Sequence, residues 1–372
     1  MKSQQHNHFS IIIGAGHCGL AMAHEFAEKG EEFLVLEAGQ APGNSWSSRW
    51  ESLELFTPAE HDGLPGKKFP AARGTFPTAM AVSEYLQSYA ASFQLPIQTS
   101  TTARRLELGP DGRFRVRTDG GVFEASRVVV ATGVQQVPRI PPLSKQISAD
   151  AMQLHSSAYR NPAQIPDGPV AVVGFGTSGA QIACELAPGH RVTICGRPTP
   201  HVPEALIRYA PALYWFLVHR LLTLSTPTGR KVAQRIHSRG APLIRVSAQD
   251  VAAAGVTGVG RIDAVRDGVM MTHDGTSVKA STIIWATGYR PDYSWIEGLG
   301  ADENGYPFHR RGVSTEIPGL GFLGIPFQYG LTSGIIGGAG RDARHLARQL
   351  DPGPAVVAKM GSAPDGGGTA SG

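Results

Sequence analysis

Two glycine-rich stretches hold the residue types and spacings from which chemistry can be read. Gly14-Ala15-Gly16-His17-Cys18-Gly19 follows an apolar, β-branched run at 9–13 and leads into residues 21–29, which read as a helix. Strand, GxGxxG and helix in that order make a dinucleotide site. Gly14 permits the tight turn, Gly16 lets a pyrophosphate approach the backbone, and Gly19 lets the helix pack against the strand. Free N–H groups and the positive dipole at the helix start hold the phosphates. His17 and Cys18 fill the variable positions of the loop, Cys18 as a small side chain that packs. The next apolar run, 33–36, ends in Glu37, 18 residues after Gly19. A carboxylate there accepts hydrogen bonds from the ribose of an adenosine and repels a 2′-phosphate.

The pattern recurs. A short strand at 169–173 precedes Gly174-Phe175-Gly176-Thr177-Ser178-Gly179, a helix over 180–187 and a strand over 191–195. Internal repetition is much harder to reach by chance than one motif. Here the residue 18 positions after the last glycine is Arg197. A guanidinium pairs bidentately with phosphate, so the second site favours NADPH.

The elements that position these loops follow from the rest of the chain. Residues 79–93 read as an amphipathic helix, and 106–118 with 121–124 as antiparallel hairpins turning at Asp111-Gly112 and Asp119-Gly120. Residues 319–325 read as a strand and 333–350 as a closing helix. Strands alternating with helices around two nucleotide motifs predict an α/β fold with two Rossmann-like domains. The chain has 372 residues, 41% apolar and 17% charged, which suits a folded protein of two or three domains. A net charge of +4 without a lysine-rich block gives no support for nucleic-acid binding. Three cysteines without CxxC or zinc-ligand spacing argue against disulfides, metal sites and a redox dithiol. No signal-peptide pattern and no run of about 18 apolar residues is present, so no membrane span and a cytoplasmic location are expected.

The segment Pro42-Gly43-Asn44-Ser45-Trp46, continuing through Arg49-Trp50 to Leu53-Glu54-Leu55-Phe56-Thr57-Pro58, carries more aromatic area than a connection needs unless it covers something. With Leu64-Pro65-Gly66, Phe76-Pro77-Thr78 and Val82-Ser83-Glu84-Tyr85-Leu86 it resembles the class B flavoprotein monooxygenases. The likeness is to small bacterial flavin-containing monooxygenases related to Baeyer–Villiger enzymes. It implies that the first nucleotide is FAD, with Trp46, Phe56 and Thr57 near its isoalloxazine ring. It also implies a glutathione-reductase-like architecture, with the NADPH domain (146–280) inserted into a discontinuous FAD domain (1–145 and 281–350). The turns Ala131-Thr132-Gly133 and Ala286-Thr287-Gly288 are then the two crossings, with Ala131 and Gly133 beside FAD and Thr287 and Gly288 bordering the nicotinamide. His155 and Tyr159 match part of the family's fingerprint, which gives His155 a part in coupling the domains. The start of the closing helix would lie at the flavin pyrimidine, making Phe327, Gln328 and Tyr329 pocket walls. Pro198 replaces the Ser or Thr that follows the arginine in strict NADPH users, so weak discrimination against NADH is expected.

Residues 204–247 read as an insertion of two helices joined near Pro211, with a basic tail. It is expected to pack on the NADPH domain or cover the substrate mouth, the alternative being a membrane-surface or homodimer contact. Residues 351–372 are Pro/Gly/Ser-rich and expected to be disordered. The chemistry implied is hydride transfer from NADPH to FAD, reaction with O₂ to a C4a-(hydro)peroxide, and oxygen delivery to a small sulfide or amine. A ketone would be the Baeyer–Villiger substrate. A reductase passing electrons to a quinone or protein acceptor needs the same two nucleotide folds and stays open, as does a non-enzymatic redox sensor.

Overall fold

The structure is a computed structural model that describes residues 5–202, 211–239 and 242–350. The expected tail at 351–372 and the head of the insertion lie outside these residues. The frame is two largely parallel sheets. In the first, β1 (Gln5–Ile13) pairs in parallel with β2 (Phe33–Leu36) and, on its other side, with β6 (Gly121–Val130). One face of these strands is covered by helices and the other by the antiparallel strands that follow, which is why Ile11, Ile12, Val128 and Val129 form continuous apolar runs and are wholly buried. β3 (Ile97–Gln98) adds to β2. β4 (Ala103–Leu108) and β5 (Phe114–Thr118) run antiparallel into β6, as the alternating pattern predicts.

After β7 (Val137–Pro138) the chain builds a second sheet from β8 (Met152–His155), β9 (Val170–Val173), β10 (Val192–Cys195) and β11 (Thr257–Val259). A small antiparallel sheet of β12 (Ile262–Arg266), β13 (Val269–Thr272) and β14 (Ser277–Val278) follows. β15 (Thr282–Trp285) then enters the second sheet between β9 and β8, giving the order β11-β10-β9-β15-β8. The boundary drawn at 281 therefore falls one strand early. The reason is symmetry: β6 precedes the first Ala-Thr-Gly turn in the first sheet, and β15 precedes the second turn in its own sheet. β16 (Tyr289–Arg290) pairs with β7, so the outward and return crossings form one two-stranded ribbon. β17 (His309–Arg310), β18 (Val313–Ser314) and β19 (Leu320–Phe322) complete the first sheet, β19 parallel to β6.

Helices α1 (His17–Glu28), α2 (Asn44–Ser47) and α3 (Ala79–Ser92) precede the first crossing, and α4 (Thr177–Leu186) follows β9. The insertion supplies α5 (Pro211–Phe216), which runs into a π turn at Leu217–Leu221, and α6 (Pro227–Arg239). Within the described part of the insertion the helices break between Leu221 and Pro227, and the expected join near Pro211 borders residues outside the described ones. After α7 (Ala248–Ala253), the closing helix α8 (Ile336–Gln349) begins behind a 3-10 turn at Leu331–Gly334. Leu20, Met22 and Phe26 of α1 share a core with Ala339, Ala343 and Leu346 of α8. Among the described residues no helix is long and apolar enough to cross a membrane.

The two nucleotide units match in detail. Gly14 N–H donates to Leu36 O at 2.8 Å and Gly174 N–H to Cys195 O at 2.8 Å. A side-chain carbon at Gly19 would lie 1.8 Å from Gly14 O, and one at Gly179 would lie 2.0 Å from Gly174 O. One at Gly16 or Gly176 would meet nothing within 4 Å. Gly19→Ala is therefore expected to lower the unfolding free energy by about 1–3 kcal/mol in urea denaturation. Gly16→Ala is expected to unfold like the parent protein and to lose dinucleotide binding instead; equal stability of Gly19→Ala and parent would contradict this packing.

Candidate cofactor and substrate site

The first loop ends in a helix start with no side-chain cap: Gly16 is extended and leaves the N–H groups of α1 to the open space beside it. Glu37 closes the loop from the other side, its carboxylate accepting from Ala15 N–H at 2.6 Å and Gly39 N–H at 2.7 Å. Gly14, at φ +107°, and Ala131 are pressed together, since a side-chain carbon on Gly14 would lie 2.7 Å from Ala131 O. Gly133, at φ +71°, has open space where a side chain would stand. The imidazole of His17 is held down to about 4 by burial, against a backbone hydrogen bond at Gly334, and its Nε2 has no partner. Cys18 packs inward, its thiol pushed up to about 12 by burial and by the charge of Asp342. Burial also raises Cys195, to about 12, and Cys184. None of the three is poised as a thiolate.

The aromatic segment divides between the two units. Trp46 stays on the first loop, its ring 6.2 Å from that of His17. Trp50 is buried in the core of the second unit with Leu154 and Tyr159, so its area is explained by joining the units and not by a ring ligand. Phe56 is 38% exposed, as a residue lining an open site would be. Thr57 is buried and donates through Oγ1 to Asp62 Oδ1 at 2.6 Å. Asp62 is 0% exposed and its Oδ2 has no partner. Burial pushes its carboxyl up to about 7, the Glu60 charge adding to the rise and the Thr57 hydrogen bond opposing it. The sequence reading missed Asp62, because nothing in Ala59-Glu60-His61-Asp62 marks which acid is enclosed.

In the second unit α4 also starts uncapped behind Gly176, with Ser178 half-buried in its first turn and Thr177 donating to Pro242 O at 3.2 Å. Counting equates Arg197 with Glu37, but the matching hydrogen bonds of Gly14 and Gly174 make Gly196 the counterpart of Glu37. α4 is shorter than α1, with 10 residues against 12. The carboxylate position is thus vacated by glycine, and exposed Arg197 stands one residue beyond. His155 is a buried strut: Nδ1 meets Ser157 Oγ at 2.9 Å, Nε2 meets Gly288 O at 3.0 Å, and the ring stands edge-on to Tyr289 at 4.9 Å. Gly288 O also accepts from Arg139 N–H at 2.9 Å, and Thr287 Oγ1 donates to Arg139 O. Arg49, from the aromatic segment, donates to Tyr289 Oη at 3.0 Å and to Gln135.

α5 and the π turn after it dock on the first unit, while the end of the insertion packs on the second, where Leu243 and Val246 join the core of Ile182 and Ala183. Trp215 stacks on His61 at 4.4 Å and on His219 at 5.4 Å. Tyr329 is held to this insertion, its carbonyl accepting from Leu224 N–H at 2.7 Å and its hydroxyl meeting Ser225 Oγ at 3.1 Å. The guanidinium groups of Arg311 and Arg341 lie over its ring at 3.8 and 4.7 Å. The Ser225 hydrogen bond and these cations hold the phenol below its ordinary value, against desolvation. Of the other expected walls, Phe327 and Gln328 are buried, Gln328 without partners for its amide.

A folded-state carboxyl raised to about 7 keeps its proton where the unfolded Asp62 has lost it. Its destabilising effect therefore develops as pH rises from about 4 to about 7, on the order of a few kcal/mol. Asp62→Asn should remove that loss. Urea denaturation at pH 5 and pH 8 is expected to show a smaller stability difference in Asp62→Asn than in the parent, and an unchanged difference would show that the carboxyl is already ionised at pH 5.

Residues 11–209 match the family described as pyridine nucleotide-disulphide oxidoreductase. The chain is 34% identical over 343 residues to an uncharacterized CzcO-like oxidoreductase of Geobacillus kaustophilus, covering 91% of this chain and 97% of that one. It is 29% identical over 379 residues to indole-3-pyruvate monooxygenase YUCCA1 of Oryza sativa, covering 92% and 91%. A flavin-containing monooxygenase from Stenotrophomonas maltophilia superposes with a TM-score of 0.76 at 26% identity, over 93% of this chain and 98% of that one. Flavin monooxygenases of this kind use FAD and NADPH. The open glycine cradles, the uncapped helix starts and the unpartnered His17 and Asp62 atoms fit such groups. The chain belongs to the pyridine nucleotide-disulphide oxidoreductase family and is an oxidoreductase of the flavin-monooxygenase type.

Proposed function

We propose that the chain is an FAD-dependent monooxygenase that takes electrons from NADPH and oxygenates small sulfides or amines. The observation that carries this reading is the pair of uncapped helix starts under matching glycine loops, one closed by the carboxylate of Glu37 and the other flanked by Arg197. The first takes FAD, with the ribose beside Glu37; the second takes NADPH, with the 2′-phosphate on Arg197. The FAD domain then comprises the chain up to 145 and from the return crossing onward, and the NADPH domain runs from 146 through β15 and its turn. When bound, the flavin supplies hydride acceptance from the nicotinamide and delivery of one oxygen of O₂ to the substrate.

The chain's residues supply orientation, dryness and one held proton. Trp46 and Phe56 wall the ring system, and burial keeps a proton on the Asp62 carboxyl beside it, against the hydrogen bond from Thr57. His155 acts as a positioning residue, tying β8 to the return crossing through Gly288 O. Trp215 and Tyr329 hold the insertion down on the first unit, which keeps water from the reacting centre. A carbonyl substrate is the second reading: a relative matched over 92% of this chain is named for indole-3-pyruvate, a 2-oxo acid. Disulfide reduction is not supported, because the chain has no CxxC and its three thiols are raised.

Coupling separates oxygenation from electron transfer. The purified yellow protein, supplied with NADPH and air, is expected to form one sulfoxide or N-oxide per NADPH oxidised; hydrogen peroxide as sole product, or oxidation only with an added quinone, would identify a reductase. A panel of a thioether, a tertiary amine, a cyclic ketone and indole-3-pyruvate, read by product mass, decides the substrate class. Arg197→Ala is expected to raise the KM for NADPH about tenfold or more and to leave NADH nearly unaffected. Equal loss for both would show that Arg197 does not read the 2′-phosphate.

A further inference from the structure

We propose that Arg261 completes the 2′-phosphate site, so that NADPH is gripped by two guanidinium groups from adjacent strands. The inference rests on reading the second cradle as the NADPH site. β10 and β11 are parallel, with Cys195 paired to Val259 and Gly196 N–H donating to Val259 O at 3.1 Å. Two residues beyond that last pair, both strands carry an arginine: Arg197 on one and Arg261 on the other. In an open α/β sheet the ligand lies at the carboxyl ends of the strands, which is the edge these two residues share. Gly196, at φ +135°, carries the chain over the second loop, where a side-chain carbon would come 3.3 Å from Phe175 N. Arg197 therefore leaves the sheet directly above the cradle.

Both arginines are exposed, and among the described residues neither has a hydrogen-bond or ion-pair partner. Most of the chain's other sheet arginines are paired, Arg104 with Asp119 and Arg117 with Glu107 among them. A 2′-phosphate carries nearly two negative charges at neutral pH, so one guanidinium leaves about one charge unmatched. The first unit provides the contrast. There Leu36 pairs with Gln98, and the position matching Arg261 is Ser100, so no cation faces the ribose of the first nucleotide. The hydroxyl that Pro198 cannot offer stands one residue later, on Thr199, whose Oγ1 is enclosed and has no partner.

The test is calorimetric titration of the FAD-loaded protein with 2′,5′-ADP and with 5′-AMP, which needs no turnover. Arg261→Ala is expected to weaken 2′,5′-ADP about tenfold while changing 5′-AMP less than about twofold, and Arg261→Lys to recover part of the loss. Arg266→Ala, an exposed arginine on the neighbouring β12, is expected to change neither. If Arg197→Ala loses the preference for 2′,5′-ADP while Arg261→Ala keeps it, the second guanidinium plays no part and the NADPH reading stands. If the parent protein binds the two nucleotides equally, or binds neither, the NADPH reading fails and this inference falls with it.

Discussion

Each nucleotide unit depends on a helix beginning so near the preceding strand that not even one methyl group fits between them. Gly19 against Gly14 O and Gly179 against Gly174 O are the same contact made twice. It fixes where the first helical N–H groups point, and hence where an anion can be held without a charged side chain. The open space at Gly16 and Gly176 exists because the neighbouring glycines let the backbone fold away from it.

On this common frame the two units differ by side chains at strand ends. Glu37 turns its carboxylate onto its own loop through Ala15 and Gly39, which rigidifies the loop and sets a negative charge at its edge. In the second unit Gly196 removes that charge and leaves arginine beyond it. The two near-identical backbones thus differ in the charge at their strand ends. The crossings bind the units together: β7 and β16 pair, and Gly288 O receives both His155 and Arg139. The ribbon is thus held by the same backbone that ties the two sheets.

Around the expected flavin region the protein arranges neutral rings and one enclosed acid rather than a set of catalytic charges. Burial together with the charges of Arg341, Arg220 and His61 holds His219 down to about 4, and His61 is lowered chiefly by burial. The His219 imidazole thus stays neutral beside Trp215, which allows flat stacking without a buried cation. α5 and the π turn are fastened to the first unit by these rings and by Tyr329, while Leu213, Phe216 and Leu221 stay exposed.

Periodicity and spacing in the chain were enough for the two Rossmann-like units, the hairpin run into β6, the crossings and the glycine loops, because each depends on residues close in sequence. An acid at the first strand end and an arginine near the second, Glu37 and Arg197, were also visible as residue types, though not their alignment. Tertiary structure alone decided the rest. It buried Trp50 in the second core, carried β15 into the second sheet, and set α5 of the insertion on the first unit. It also enclosed Asp62, equated Gly196 with Glu37, and brought Arg261 level with Arg197. Each of these depends on which distant segments share a face or a register, and pairing energies of that kind are spread over contacts that no local window contains.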